Sequence, residues 1–109
     1  MRSKIHRAIV TDTNLDYVGS IGIDKSLIEK VGLWSGEKVL VVDNTNGARL
    51  ETYVIEEESD SGRIMVYGAA SRLIKKGDEI IIMGFELTDK PIEIKKILVD
   101  KNNKFIRFL

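Results

Sequence analysis

The stretch LDYVGSIGID at residues 15–24 sets a Gly19-Ser20 pair between two short apolar runs. Such a pair is either an ordinary turn or a serine hydroxyl placed to act as a nucleophile. The familiar patterns are missing: there is no Ser-His-Asp order, no P-loop and no dinucleotide fingerprint, and GSIG at 19–22 has the spacing of none of them. What stands out is a set of polar residues in runs where packing alone would not ask for them: Lys4, His6, Tyr17, Ser20, Arg49, Thr52 and Tyr53. Singly, each has a plain reading. Lys4 and Arg49 suit exposed strand positions, His6 suits a surface or a satisfied core site, and Thr52 and Tyr53 are good strand formers. The set carries more weight than its members.

The elements that must position these residues fit one domain. A chain of 109 residues has room for one core, and so for one site or none. Seventeen Lys and Arg balance seventeen Asp and Glu, so no global positive field draws in nucleic acid or an anionic membrane. With no cysteine and one histidine, neither a disulfide framework nor a metal centre is expected. MRSKIHRAIV has charges at Arg2, Lys4 and Arg7 and lacks the long apolar core of a secretory signal. No run is long enough to span a bilayer, and the expected location is cytoplasmic.

Six runs rich in Val, Ile and Tyr read as strands: 4–11, 37–44, 49–56, 63–68, 78–87 and 91–100. Turn signals at Asn46-Gly47, Ser61-Gly62 and 101–104 predict hairpins between several of them. A helix is predicted after Asp24, with Leu27, Ile28 and Val31 on one face and Gly32 at its end, and a second helical turn at 69–74. VGLWSGEKVLVV (31–42) and RLIKKGDEIIIM (72–83) repeat one phrase: helix, Gly-acid turn, apolar strand. Two such halves wrapped together would protect their strand edges. The expected fold is therefore mainly β: a small closed six-stranded double-psi β-barrel with short helices, one domain over 1–109. The tail, 91–109, is expected to pack on the barrel or on a neighbouring subunit.

Three blocks, SKIHRAIVTDTNLDYVGSIGID (3–24), NGARLETY (46–53) and YGAASRLIKKGDEIII (67–82), resemble the bacterial aspartate 1-decarboxylases, which make their own pyruvoyl cofactor. The Lys-x-His-Arg start, the Tyr-x-Gly-Ser junction and the Asn-Gly-x-Arg-x-x-Thr-Tyr block occur together in the family's order. The resemblance implies self-cleavage at Gly19-Ser20 into a β chain, 1–19, and an α chain, 20–109, whose first residue, formerly Ser20, becomes a pyruvoyl group. Glycine suits that junction because it has no Cβ to block attack and tolerates unusual backbone angles. Serine brings both the nucleophile and the group that is eliminated.

The resemblance further implies conversion of L-aspartate to β-alanine and CO2, feeding pantothenate and coenzyme A synthesis. The ketone would condense with the substrate amine as a Schiff base and act as an electron sink. In the same way Thr52 would stabilise the oxyanion of the first processing step, and Tyr53 would donate the proton to the decarboxylated product. Arg49 and Lys4 would hold substrate carboxylate, the first bidentately and the second as a point charge. His6, Tyr17, Thr52, Gly68, Ala69 and Ala70 would line the same pocket. A homotetramer with sites between subunits is implied, with no nucleic-acid or membrane partner.

One position departs from the pattern. Relatives commonly read Asn-Gly-Ala-Ala where this chain reads Tyr67-Gly68-Ala69-Ala70, which puts a larger group with a different donor arrangement where the resemblance implies an amide in contact with the processing site or the cofactor. Two other readings compete. One is a catalytically decayed barrel, which Tyr67 favours. The other is a swapped-hairpin-like DNA-binding regulator, suggested by IEKVGLWSGEKVLVV (28–42). A regulator calls for a basic DNA-facing loop, and the balanced charge argues against one.

Overall fold

The computed structural model describes all residues, Met1–Leu109. Its strands are β1 Ser3–Ile9, β2 Asp12–Asn14, β3 Ser20–Asp24, β4 Lys38–Asp43, β5 Arg49–Glu57, β6 Ile64–Tyr67, β7 Glu79–Gly84, β8 Lys95–Val99 and β9 Phe105–Phe108. One α-helix, α1 (Lys25–Val31), begins where Asp24 Oδ1 accepts from the Ser26 N–H and ends at Gly32, turning Leu27, Ile28 and Val31 inward. A 3-10 turn covers Gly68–Arg72.

Hydrogen-bonded neighbours run in the order β2-β6-β3-β5-β4-β7-β1-β8-β9. The fold is mainly β, as the sequence leads one to expect; nine strands make up the series, and no ladder joins its ends. The strands the sequence reading lacks are β2, β3 and β9, each of three to five residues. In β3, SIGID, every residue is buried, so the alternation that marks a half-exposed strand is absent.

Hairpins form where Asn46-Gly47 joins antiparallel β4 and β5, and where 101–104 joins β8 and β9. Ser61-Gly62 does not make one. Strands β5 and β6 both pair with β3, which occupies the slot between them. The turn is instead tied down by Asp24, whose Oδ2 accepts from the Gly62 N–H at 2.8 Å. The repeated phrase has a structural counterpart. Gly36 and Gly77 take φ of +87° and +89°, their N–H groups donate to Val54 O and Val10 O, and the strands that follow, β4 and β7, pair antiparallel.

The core draws Ile5, Ile21, Ile23, Ile64, Ile80, Ile82 and Ile97, all fully buried, from five strands. Each such side chain contributes about 1.5–3 kcal/mol on leaving water. The tail packs on this body: β8 lies parallel to β1, and buried Asn103 accepts from the Ile9 N–H and donates to the Ile9 and Gly62 carbonyls. No helix is long and apolar enough to cross a membrane.

The sheet's second face bears on the site. Arg49 lies opposite Val42 and Val42 opposite Ile81; Glu51 opposes Leu40, Leu40 opposes Met83, and Met83 opposes Lys4. His6 stands opposite Leu98 on β8. Directly opposed residues share a face. Leu40, Val42, Ile81, Met83 and Leu98 are only half-buried on it, while Ile5, Val41 and Ile82 point into the core.

Candidate active site

The Gly19-Ser20 bond lies where an exposed segment, 15–19, runs into buried β3. Ser20 is fully buried, and its Oγ donates to Val18 O at 3.0 Å, so the hydroxyl folds back over the Gly19 peptide. Behind that peptide stands Gly68, with φ +74°. A Cβ on Gly68 would lie 2.6 Å from Gly19 Cα and 2.9 Å from Gly19 N. Only glycine fits there, both for its left-handed backbone and for the approach of two main chains.

A cavity of about 460 Å³ opens beside the junction, with Gly19, Thr52, Tyr53, Tyr67, Ala69 and Ala70 in its wall. Strand β5 delivers Thr52 and Tyr53 because it is the parallel neighbour of β3, with Val54 opposite Ile21. Strand β6 delivers Tyr67, the cross-strand partner of Ser20. Tyr17 leans on Tyr67, their ring centroids 4.7 Å apart at 49°.

The residues singled out in the sequence therefore divide. Gly19, Ser20, Tyr17, Thr52, Tyr53, Gly68, Ala69 and Ala70 gather at the junction or its cavity. Lys4, His6 and Arg49 are not in the cavity wall; they stand on the outward face of the sheet. There His6 is held below the ordinary histidine range by burial, then by the Lys4 and Arg7 charges, against a smaller opposing pull from Glu79. Its Nδ1 is buried without a hydrogen-bond partner.

Sequence reasoning passed over Leu50, Glu51 and Leu73 in the wall, and Glu57 behind it. The Tyr67 hydroxyl donates to Glu57 Oε1 at 2.5 Å. Burial, followed by this carboxylate, pushes the phenol up to about 12, with Arg63 pulling the other way. Glycine at position 22 leaves the room this contact needs, since a Cβ there would overlap the Glu57 carboxylate. The bare Gly in the otherwise bulky SIGID was the available signal.

The aspartate decarboxylase family profile matches residues 1–106. The chain belongs to that family. Among curated relatives named aspartate 1-decarboxylase, that of Acetivibrio thermocellus is 53% identical, over 97% of this chain and 87% of its own length. The Thermoanaerobacter pseudethanolicus protein is also 53% identical, over 95% of this chain and 92% of its own length. The protein of that name from Bacillus cereus strain B4264 is 50% identical over the whole of this chain and 89% of its own length. As a member of the aspartate decarboxylase family the chain is read as an enzyme, and the DNA-binding alternative is not favoured.

Proposed function

We propose that the chain is the precursor of an L-aspartate 1-decarboxylase that cuts its own Gly19-Ser20 bond and then releases β-alanine and CO2 from aspartate. The observation that carries this reading is the junction itself: a buried serine, a glycine pressed on by Gly68, and Thr52 and Tyr53 on one adjoining cavity.

In the cleavage, Ser20 Oγ attacks the Gly19 carbonyl carbon and the C–N bond breaks, leaving an ester and a free amine on residue 20. The hydroxyl proton already points at the Val18 carbonyl, which leaves the oxygen lone pairs for the attack. Thr52 donates to the oxyanion of that step, a contribution of about 3–4 kcal/mol for one well-placed donor. Loss of the Ser20 Cα proton then expels the Gly19 carboxylate, and one water hydrolyses the resulting imine to a ketone and ammonia. Residues 1–19 and 20–109 remain as two chains.

The site fits a pyruvoyl group at position 20. The small residues Gly68, Ala69 and Ala70 stand beside it, and the cavity of about 460 Å³ leaves room for a C4 dicarboxylic acid. When formed, the ketone supplies a carbonyl for the substrate amine and a sink for the electron pair left by CO2. Tyr53, 37% exposed on the cavity wall, gives the proton that replaces the lost carboxyl. Arg49 and Lys4 hold the remaining carboxylate, and His6 and Tyr17 complete the pocket.

Because Lys4, His6 and Arg49 lie on the outward sheet face, we place them in the cavity of a neighbouring subunit within a homotetramer. Continuity supports this: along β5 the same face carries Arg49, Glu51 and Tyr53, and the last two already line the cavity. The fold reading is a closed six-stranded double-psi barrel in which β1 and β2 act as one strand. It rests on the sheet order, whose run from β2 to β1 starts and ends on strands joined directly through Val10 and Thr11. A cytoplasmic location accords with this metabolism.

Intact mass decides the first step: the wild-type chain is expected to split after Gly19 while Ser20→Ala stays whole. A wild type that remains whole and forms no β-alanine from aspartate overturns the reading. Mixing inactive Ser20→Ala and Arg49→Ala chains during assembly is expected to restore about a quarter of the sites if they assort at random in a symmetric oligomer. A site confined to one chain would give no recovery.

A further inference from the structure

Residues 15–19 carry the peptide that is to be cut, yet they are exposed and belong to no strand. Locally they are held by the Asp16 N–H donating to Asn14 Oδ1 at 3.1 Å and by a long contact from the Tyr17 N–H to Asn14 O at 3.5 Å. Leu15 and Val18 lie open to solvent. Tyr17 is different, because its ring rests on Tyr67, which is itself only 9% exposed.

Tyr67 is the cross-strand partner of Ser20 and so stands on the same face of the sheet. Its hydroxyl is fixed to Glu57, whose carboxylate occupies the space left by Gly22 and whose other oxygen faces Arg63 Nε at 3.7 Å. A continuous line of contacts thus runs from Arg63 through Glu57 and Tyr67 to Tyr17, two residues before the scissile glycine. On the other side, Gly68 backs Gly19 directly.

Building on the self-cleavage reading, we propose that Tyr67, anchored by Glu57, is a positioning residue for that reaction: it grips the Tyr17 ring and so holds Val18-Gly19 against Gly68 while the bond breaks. Tyr67 touches none of the reacting atoms in this role. It limits where the segment can go, and a reaction at a peptide bond is sensitive to that placement.

The test follows fragment formation by intact mass in freshly purified precursors carrying Tyr17→Leu, Tyr67→Leu, both together, Tyr67→Phe or Glu57→Gln. Each leucine variant is expected to cleave about threefold to tenfold more slowly, the scale of one aromatic pair. The double variant is expected to be no slower than the slower single, since both remove the same contact. Tyr67→Phe and Glu57→Gln keep the ring pair and loosen its anchor, and fall between. In parallel, hydrogen exchange is measured in a Ser20→Ala background, where no cleavage intervenes. Tyr67→Leu is expected to speed exchange at 15–19 and leave β4 and β7 unmoved.

Wild-type rates in the leucine variants, multiplied defects in the double, or unchanged exchange at 15–19 would each overturn the clamp. Should Tyr67→Leu fail to fold, Tyr17→Leu at its half-exposed site carries the same comparison. A wild-type chain that never cleaves defeats the self-cleavage reading as a whole. A wild type that cleaves while Tyr67→Leu leaves exchange unchanged defeats the clamp alone.

Discussion

Replacing Gly68 by alanine puts a methyl group where the fold has the Gly19 main chain. The new Cβ would stand 2.6 Å from Gly19 Cα and 2.9 Å from Gly19 N, well inside ordinary contact, and neither atom belongs to a side chain that can swing away. Two costs add. The left-handed backbone at φ +74° costs an L-residue about 1–2 kcal/mol, and overpacking costs about 1–3 kcal/mol. Gly77→Ala is the matched control: its φ is +89°, but nothing lies within 4 Å of the added Cβ, so it meets only the first cost. The difference between the variants isolates the contact at the junction. Relief can come only by moving Gly19 or Gly68, and a displacement of about 1 Å costs on the order of 100-fold in rate when reacting groups are misplaced. The assay is cleavage over time by intact mass, with thermal unfolding of the same substitutions in a Ser20→Ala background. Gly68→Ala is expected to cleave at least about tenfold more slowly than Gly77→Ala and to unfold at a lower temperature. Equal cleavage rates would refute the claim that Gly68 positions the scissile bond.

Three further outcomes are expected. Thr52→Ala mainly blocks cleavage, whereas Tyr53→Phe cleaves normally and loses about 100- to 10,000-fold in β-alanine formation, the range for a lost general acid; mass and product assays on one preparation separate the two. Arg49→Lys leaves cleavage intact and lowers aspartate turnover at least about tenfold, because one charge-assisted bond of the planar fork is lost; full turnover in a processed variant would misplace the carboxylate anchor. Burial alone would raise the Asp24 carboxyl, but bonds from the Ser26 hydroxyl and the Gly62, Ser26 and Asp60 N–H groups outweigh it and hold the group below its usual range. That stabilisation is present above the unfolded value, about 3.9, and is lost as pH falls through the lower folded one. The stability gap between wild type and Asp24→Asn, from urea unfolding, is therefore expected to be widest near neutral pH and to shrink on acidification below pH ~4; a gap independent of pH would remove Asp24 from the titration.

The elements legible in the sequence were those whose surroundings are uneven. Strands β4, β5 and β7 have one face in the core and one turned outward, so their alternation shows, and Asp24 and Gly32 mark the ends of α1 by cap chemistry. Strand β3 is buried throughout and β2 spans three residues, so neither prints a period. The failed hairpin at Ser61-Gly62 has a related cause. A turn signal states that the chain reverses there, but not that the strands it joins become neighbours, and here β3 inserts between them. For the site, the residues at the junction were legible from their types and order. Glu57 was not, because its contact with Tyr67 depends on a missing side chain at Gly22, one strand away.

The placement of Lys4, His6 and Arg49 could not have been read from motif order, and it follows from register. Ser3, Ile5 and Ala8 are fully buried, so Lys4 and His6, which alternate with Ser3 and Ile5 ahead of the bulge at Arg7, are bound to the opposite side. Lys4 and His6 accordingly join the outward face with Met83 and Leu98, and the β4-β5 ladder sends Arg49 to that face through Val42. Bringing Lys4 across would need a one-residue slip of β1, which turns Ile5 out of the core and breaks its ladders to β7 and β8 together. Losing one buried isoleucine already costs about 2–5 kcal/mol, a large part of the stability of a domain this size. The register is therefore fixed more firmly than any substrate contact could shift it. On the proposed reading these three residues serve the cavity of a neighbouring copy, across the β5 face that also carries Glu51 and Tyr53.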